Sequence, residues 1–294
     1  MSTKQVSSVH SKITDEIVQA IEAGVEEFEM PWHGCAHAGL PRNSATGNIY
    51  QGINTLVLWV AKKRNGFASS NWASYQQWQS LGAQVRKGEK GSLVVFYKQL
   101  NGESDEPGSE EETEKLRIVV KHSRVFNGDQ VDGWENNSTP EDDRLELSNV
   151  KIFIARLGSD IRYGSDSACY NRRLDRIFMP TITEFHDTKF GSAEENFFMV
   201  LLHEHIHWSG HELRLNRNLS GRFGSEAYAM EELVAELGSA YLCASLGIDT
   251  QPRPDHASYI SSWLKVLKGD KKAIFAMSSL ASKASQFLEE KVHQ

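Results

Sequence analysis

The chain has 294 residues, 39% of them hydrophobic and 10% aromatic, with a net charge of −7. That is enough apolar mass for ordinary packed cores and, at this length, for two domains, which excludes a disordered chain. Apolar runs such as Leu56 to Ala61 are far shorter than the roughly 20 residues of a membrane span, the first thirty residues do not read as a secretion signal, and Cys35, Cys169 and Cys243 are too scattered for a disulfide framework or a cysteine zinc site, so a cytoplasmic protein with no membrane partner is expected.

Ile13, Ile17, Ile21 and Val25 recur every four residues, the pattern of an amphipathic helix that ends near Pro31 and Trp32 and docks on an N-terminal core. A long Gly-, Asn- and Ser-rich stretch follows, of the kind used for binding loops. Leu56 to Arg64 and Trp72 to Leu81 read as short helices, the second begun by Ser70 or Asn71. In QVRKGEKGSLVVFY a turn exposes Arg86, Lys87 and Lys90 around two glycines, and Ser92 to Lys98 continues as a strand that pairs with Leu116 to Phe126. Between these strands Glu103 to Glu114 holds seven acids and no base, the composition of a solvated loop. The charge is therefore uneven. From Pro31 to Lys98 eight basic residues face the single acid Glu89, and a local basic surface binds phosphates whatever the net charge.

The polar run from Gly128 to Ser148 reads as a linker, dividing the chain into domains at 1–130 and 149–294, with 131–148 between them. Val150 to Ala155, Ile161 to Tyr163, Ala168 to Tyr170 and Arg176 to Met179 are expected as short strands of a small, mostly antiparallel sheet. Ser192 and Glu195 form a capping-box start, Gly210 a stop, and the apolar middle between them a buried helix. Its last turns carry His203, Glu204 and His207, the H-E-x-x-H pattern. Two histidines four apart lie only about 40° apart around a helix, so both imidazoles reach one metal ion, and the intervening Glu204 is the candidate general base. His205 points elsewhere.

A third ligand is needed. An extended three-histidine motif fails because position 213 is Leu, and His211 is out of register. The helix MEELVAELGSAYLCASLG, capped by Ser225 and ended by Gly247, offers Glu232 and Glu236 four apart on one face, so that one can bind the metal while the other orients a histidine from behind, with Glu231 as the rival ligand. Zinc suits two imidazoles and a carboxylate, with manganese or nickel as alternatives. Ala168 to Asn171 is the candidate edge strand for an extended peptide, and Tyr163 or Tyr170 the candidate oxyanion donor. Asp255 and Asp270 are placed to cap two closing helices, 256–268 and 271–290.

Single strands bind by stacking bases on aromatic rings while cations follow the phosphates. Trp32, Tyr50, Trp72 and Tyr75 interleave with Arg42, Asn43, Arg86, Lys87 and Lys90 in this way, whereas Trp59 and Trp78 read as core. At this point the chain resembles the ArdC antirestriction proteins of conjugative plasmids and phages. PRNSATGNIYQGIN, WASYQQWQSLGAQVRKGEKGSLVVFY and RVFNGDQVDG are similar to the family's N-terminal domain, also found in TraC-type plasmid primases. ACYNRRLDRIFMP, LLHEHIHWSGHELRLNR and AMEELVAELGSAYL are similar to its zincin-like metallopeptidase domain. The acidic insertion at Glu103 to Glu114 is longer than usual for the family.

The resemblance implies a two-domain α+β fold, a single-strand-binding N-terminal module and a C-terminal zincin in which His203, Glu204, His207 and Glu232 fall on the family's motif positions. The implied role is protection of incoming conjugative DNA from host restriction, with single-stranded DNA and an unknown host protein as partners. Two alternatives stay open: a metal site that is structural or catalytically silent, and a basic face that binds a protein while DNA is incidental.

Overall fold

A computed structural model describes residues 3–26, 29–34, 39–100, 117–135, 147–189, 191–217, 225–251 and 257–293. The acidic stretch Glu103 to Glu114, much of the polar linker and the Asp255 cap lie outside the described residues.

The architecture is α+β. It opens with α1 (Thr3–Gly24), β1 (Arg42–Asn43), α2 (Ile53–Asn65), β2 (Asn71–Ser74), α3 (Tyr75–Ser80), β3 (Gln84–Val85), β4 (Ser92–Leu100), β5 (Arg117–Asn127) and β6 (Val131–Asp132). Strands β1-β2-β5-β4 form one sheet, with β4 and β5 paired antiparallel as expected, and β3-β6 form a two-stranded sheet. The stretch read as one helix from Trp72 to Leu81 begins as a strand. Ser74 caps α3 instead, its hydroxyl accepting from the Gln77 N–H in a capping box, because Trp72 and Ala73 are buried in the sheet. Asn54 of α2 finishes the outer edge of β4, donating to the Val95 carbonyl at 2.8 Å and accepting from its N–H at 2.9 Å, so the buried edge keeps its polar groups paired.

The second half comprises α4 (Leu147–Leu157), β7 (Asp160–Tyr163), β8 (Cys169–Asn171), β9 (Arg176–Met179), α5 (Ala193–Ser209), α6 (Glu226–Leu246), α7 (Ala257–Gly269) and α8 (Ala273–Val292). Two expectations fail here. Val150 to Ala155 belongs to a helix, since Val150, Phe153, Ile154 and Leu157 are the buried residues and their spacing is that of one helical face. The sheet, ordered β7-β9-β8, is mixed: β7 runs parallel to β9 and only β8 is antiparallel to it. Asp270 does not cap α8 directly. Its carboxylate accepts from the Lys272 N–H, just ahead of the helix.

The halves share one apolar core. Ile13, Ile17 and Ile21 of α1 and Leu56 and Trp59 of α2 join Leu201, Leu237, Trp263 and Leu288 in a continuous cluster. Helix α1 thus packs on α7 as well as α2, beyond the N-terminal docking its pattern suggests. Hydrogen bonds cross as well, from Thr14 Oγ1 to the Lys271 carbonyl at 2.7 Å and from the Tyr241 hydroxyl to the Gly52 carbonyl at 3.1 Å. Among the described residues no helix is long and apolar enough to cross a membrane.

Candidate metal centre

Helix α5 starts at Ser192, whose hydroxyl accepts from the Glu195 N–H while the Glu195 carboxylate accepts from the Ser192 N–H, the reciprocal cap its sequence requires. It ends at Gly210, yet that glycine keeps a right-handed conformation. The left-handed turn falls at Asn216, after a loop that folds back so that the Arg217 N–H reaches the Gly210 carbonyl. Helix α6 runs from Ser225 to a left-handed Gly247, both as expected. The helices approach closely at Gly238. A Cβ there would lie 3.1 Å from Ile206 side-chain atoms, so a larger residue would press α6 away from α5.

This approach carries the α6 carboxylates to the α5 imidazoles. His203 Nε2 lies 3.5 Å from Glu232 Oε2, His207 Nε2 lies 3.4 Å from Glu232 Oε1, and the two rings are 5.0 Å apart between centroids. Among the described residues, His203, His207 and Glu232 form a group that could hold a metal ion, one donor atom from each falling within 4.8 Å of the others. Behind each imidazole stands a second carboxylate: Glu236 is 3.7 Å from His203 Nδ1, and Glu231 is 3.3 Å from His207 Nδ1. Each ring is flanked by acids on both nitrogens, an arrangement that leaves the Nε2 atoms facing inward. Glu231, weighed as a ligand on sequence alone, therefore orients His207, and Arg217 holds it at 2.8 Å.

The electrostatics fit a bound cation. Glu204, Glu232 and Glu236 are all buried, and burying carboxylates without a positive partner is costly. Burial pulls the His207 pKa down, but the Glu232 charge and the hydrogen bonds to Glu231 and Glu232 outweigh it and raise the value to about 10. Glu232 is pushed the other way. Burial would raise its carboxyl, and the charges and hydrogen bonds of His207 and His203 drive it far below the usual carboxylate range. The buried carboxylates favour a cation between the two imidazoles, either a proton on the ring or a divalent ion in its place.

The neighbouring residues divide clearly. His205 is fully buried and serves the fold: its Nδ1–H donates to the Leu201 carbonyl at 2.7 Å and Nε2 accepts from Ser159 at 2.8 Å, while burial lowers its pKa to about 4. His211 accepts from the Leu213 N–H within the turn. Strand β8 is an edge of its sheet and packs beside α5. Burial raises the Cys169 thiol of that strand, and the Glu204 charge adds to it. Tyr170 gives its hydroxyl to Asp175 at 2.7 Å within an Asp175–Arg214 pair, and Tyr163 is exposed and leans on Phe197. Neither phenol is seen to turn to the two histidines. Tyr228 does reach the site, since its hydroxyl hydrogen-bonds to Glu232; burial and that carboxylate raise its pKa and keep it protonated. Its position four residues before Glu232 on one helix is the signal that could have found it.

The expected nucleic-acid residues are less well served. Trp32 and Trp72 have no exposed surface and Tyr50 only 6%, so none of the three offers a face to a base; they are core, because the chain around each is wrapped by helices and sheet. Asn43 organises a turn, accepting from the Ala45 and Thr46 N–H groups and donating to Tyr50. Arg86 is exposed but tied to Glu89, Asp129 and Val131. Arg42, Lys87 and Lys90 are exposed. Tyr75, 42% exposed, lines a cavity of about 540 Å³ together with Arg86, Lys87, Phe126 and the acids Glu89 and Asp132.

Comparison with known proteins settles the family. Residues 7–126 match the model of the N-terminal domain of the anti-restriction factor ArdC, and residues 148–280 match a zincin-like metallopeptidase model. The crystal structure of the antirestriction protein ArdC from plasmid R388, metal-free, is 36% identical, with a TM-score of 0.78 over 97% of both chains. The chain belongs to the ArdC antirestriction family. A Mn(II)-bound structure of the R388 protein matches with a TM-score of 0.76 and 36% identity, over 96% of this chain and 97% of that one. The ArdC-family chain is also 42% identical to the uncharacterised protein y4eC of Sinorhizobium fredii, over 96% of its own length and 92% of the relative's. A DNA primase TraC of Escherichia coli is 32% identical over 95% of this chain, which spans only 27% of the primase.

Proposed function

We propose that this protein binds single-stranded DNA through its N-terminal half, carries a metallopeptidase-type centre in its C-terminal half, and protects incoming conjugative DNA from restriction in the recipient cytoplasm. The observation that carries the enzymatic part is the convergence of His203 Nε2, His207 Nε2 and Glu232 around one point, with Glu204 on the same turn of α5. That the R388 relative has a Mn(II)-bound structure supports a divalent ion in this chain, and zinc fits the same donors. When bound, such an ion supplies Lewis acidity toward a peptide carbonyl. Glu204 takes the proton of the attacking water and returns it to the leaving amine. Tyr228, protonated and beside Glu232, is the group to donate to charge developing on the carbonyl oxygen, and β8 is the edge along which an extended chain of a host protein would lie.

For DNA, Arg42, Lys87 and Lys90 supply cations and Tyr75 supplies a stacking face, a set supported by exposure and by the match to the ArdC N-terminal domain. The deciding variant is Glu204→Gln, which removes a base while leaving the donors alone. Metal content and oligonucleotide gel shifts stay at wild-type levels, and protection of a conjugating plasmid in a restricting recipient is lost. Full protection by Glu204→Gln would instead establish that the metal site is silent and that DNA binding suffices.

A further inference from the structure

The metal centre is not built by the C-terminal half alone. Residues 29–34 lie against it: Trp32 is fully buried, its ring 6.4 Å from that of Trp263, its carbonyl accepts from Thr250 Oγ1 at 2.9 Å, and the Gly34 N–H donates to the Thr250 carbonyl at 2.9 Å. Anchored this way, the segment delivers two donors to one atom. Trp32 Nε1 lies 3.3 Å and His33 Nε2 3.0 Å from Glu236 Oε1, and the other oxygen of that carboxylate faces His203 Nδ1. The tautomer of His33 follows from its second contact. Nδ1 accepts from the Met30 N–H at 3.0 Å, so the proton sits on Nε2 and is given to Glu236.

We infer that Trp32 and His33 are positioning residues of the metal centre: they fix the Glu236 carboxylate, which fixes the His203 ring, so that the N-terminal half sets how tightly the C-terminal half holds its ion. The inference rests on the metal reading of His203, His207 and Glu232. Removing such an outer partner of a ligating histidine weakens metal binding about 10–100-fold while the ligands stay in place.

Two substitutions separate this role from mere support of the turn. In His33→Asn the side-chain oxygen can replace Nδ1 as acceptor for the Met30 N–H, but the shortened side chain no longer reaches Glu236, which keeps only the Trp32 indole of the two donors. In His33→Gln the amide nitrogen can replace Nε2 and still reach Glu236, while the Met30 N–H loses its partner. The measurement is Mn²⁺ affinity of the full chain by titration calorimetry and by electron paramagnetic resonance, with circular dichroism as the check on folding. His33→Asn weakens Mn²⁺ binding about 10–100-fold, His33→Gln stays close to wild type, and His33→Asn adds nothing further on a Glu236→Gln background. If His33→Asn does not fold, Trp32→Phe removes the other donor to the same oxygen and reads out a smaller weakening. Equal affinity of His33→Asn and wild type overturns the inference, as does His33→Gln weaker than His33→Asn, which would assign the residue to the turn. A wild-type chain that binds no Mn²⁺ and no Zn²⁺ overturns the metal reading itself.

Discussion

The centre between α5 and α6 and the basic face around β3 hold their side chains in opposite ways. At the centre the imidazoles and their carboxylates have enforced neighbours: His203 lies between Glu232 and Glu236, His207 between Glu232 and Glu231, and Glu231 is held in turn by Arg217. On the basic face Lys87 and Lys90 project from a turn whose shape is fixed by Arg86 and Gln130, which bond to backbone and to Glu89. On the proposed function, the first region is a rigid receptor for one small cation that depends on sub-ångström placement, and the second meets a flexible polyanion and needs charge density more than geometry. Substitutions should therefore act all-or-none at the centre and by increments on the face.

The largest effect tests the rigid side. Glu232→Ala removes the one carboxylate between the two imidazoles, and the chain loses stoichiometric binding of Zn²⁺ and Mn²⁺, read by elemental analysis after dialysis. Wild type behaves differently on chelation: at a metal concentration about 100 times Kd, ligation stabilises the fold by about 2.7 kcal/mol, so removing the ion lowers Tm by several degrees. Glu232→Ala shows no such metal-dependent shift. A variant that kept its ion would show that the donors lie elsewhere.

This contrast also explains what could be read in the sequence. The metal site was legible because its information is local: the cap at Ser192, a 3.6-residue period and the spacing of His203 and His207 fix two donors on one helix before any tertiary contact exists. Ser225, Glu232 and Glu236 work the same way on α6. The rest depended on contacts between distant segments. Whether Trp72 is a stacking platform or a core residue is decided by Phe67, Val94 and Val125 closing around it, and nothing near position 72 encodes that. Trp32 and His33 join the centre only because the segment is seated at Thr250 and Trp263. The stretch Val150 to Ala155, expected as a strand, is a helix because the Val150, Phe153, Ile154, Leu157 spacing buries one helical face against the rest of the fold. The intermediate effect follows from the buried tryptophan. Trp72→Ala should cost about 3–5 kcal/mol of stability, measured by denaturant unfolding, since the ring is wholly enclosed. Unchanged stability with lost DNA binding would restore Trp72 to the interface.

The smallest effect belongs to the basic face. Lys87 and Lys90 are exposed, whereas Arg86 between β3 and that turn is already spent on Glu89 and Asp129. Each lysine that neutralises a phosphate of a single strand contributes about 0.7 to the slope of log K against log salt. The double variant Lys87→Ala, Lys90→Ala should therefore lower that slope by about 1.4 and weaken binding at low salt, with little change at high salt where the counterion term has vanished. Tyr75→Ala, by contrast, should lower affinity by a stacking contribution of about 1–3 kcal/mol and leave the slope alone. The two signatures are orthogonal. If Lys87→Ala, Lys90→Ala leaves the slope untouched, the strand runs over another surface, and a slope near zero in the wild type would give the basic face to a protein partner instead.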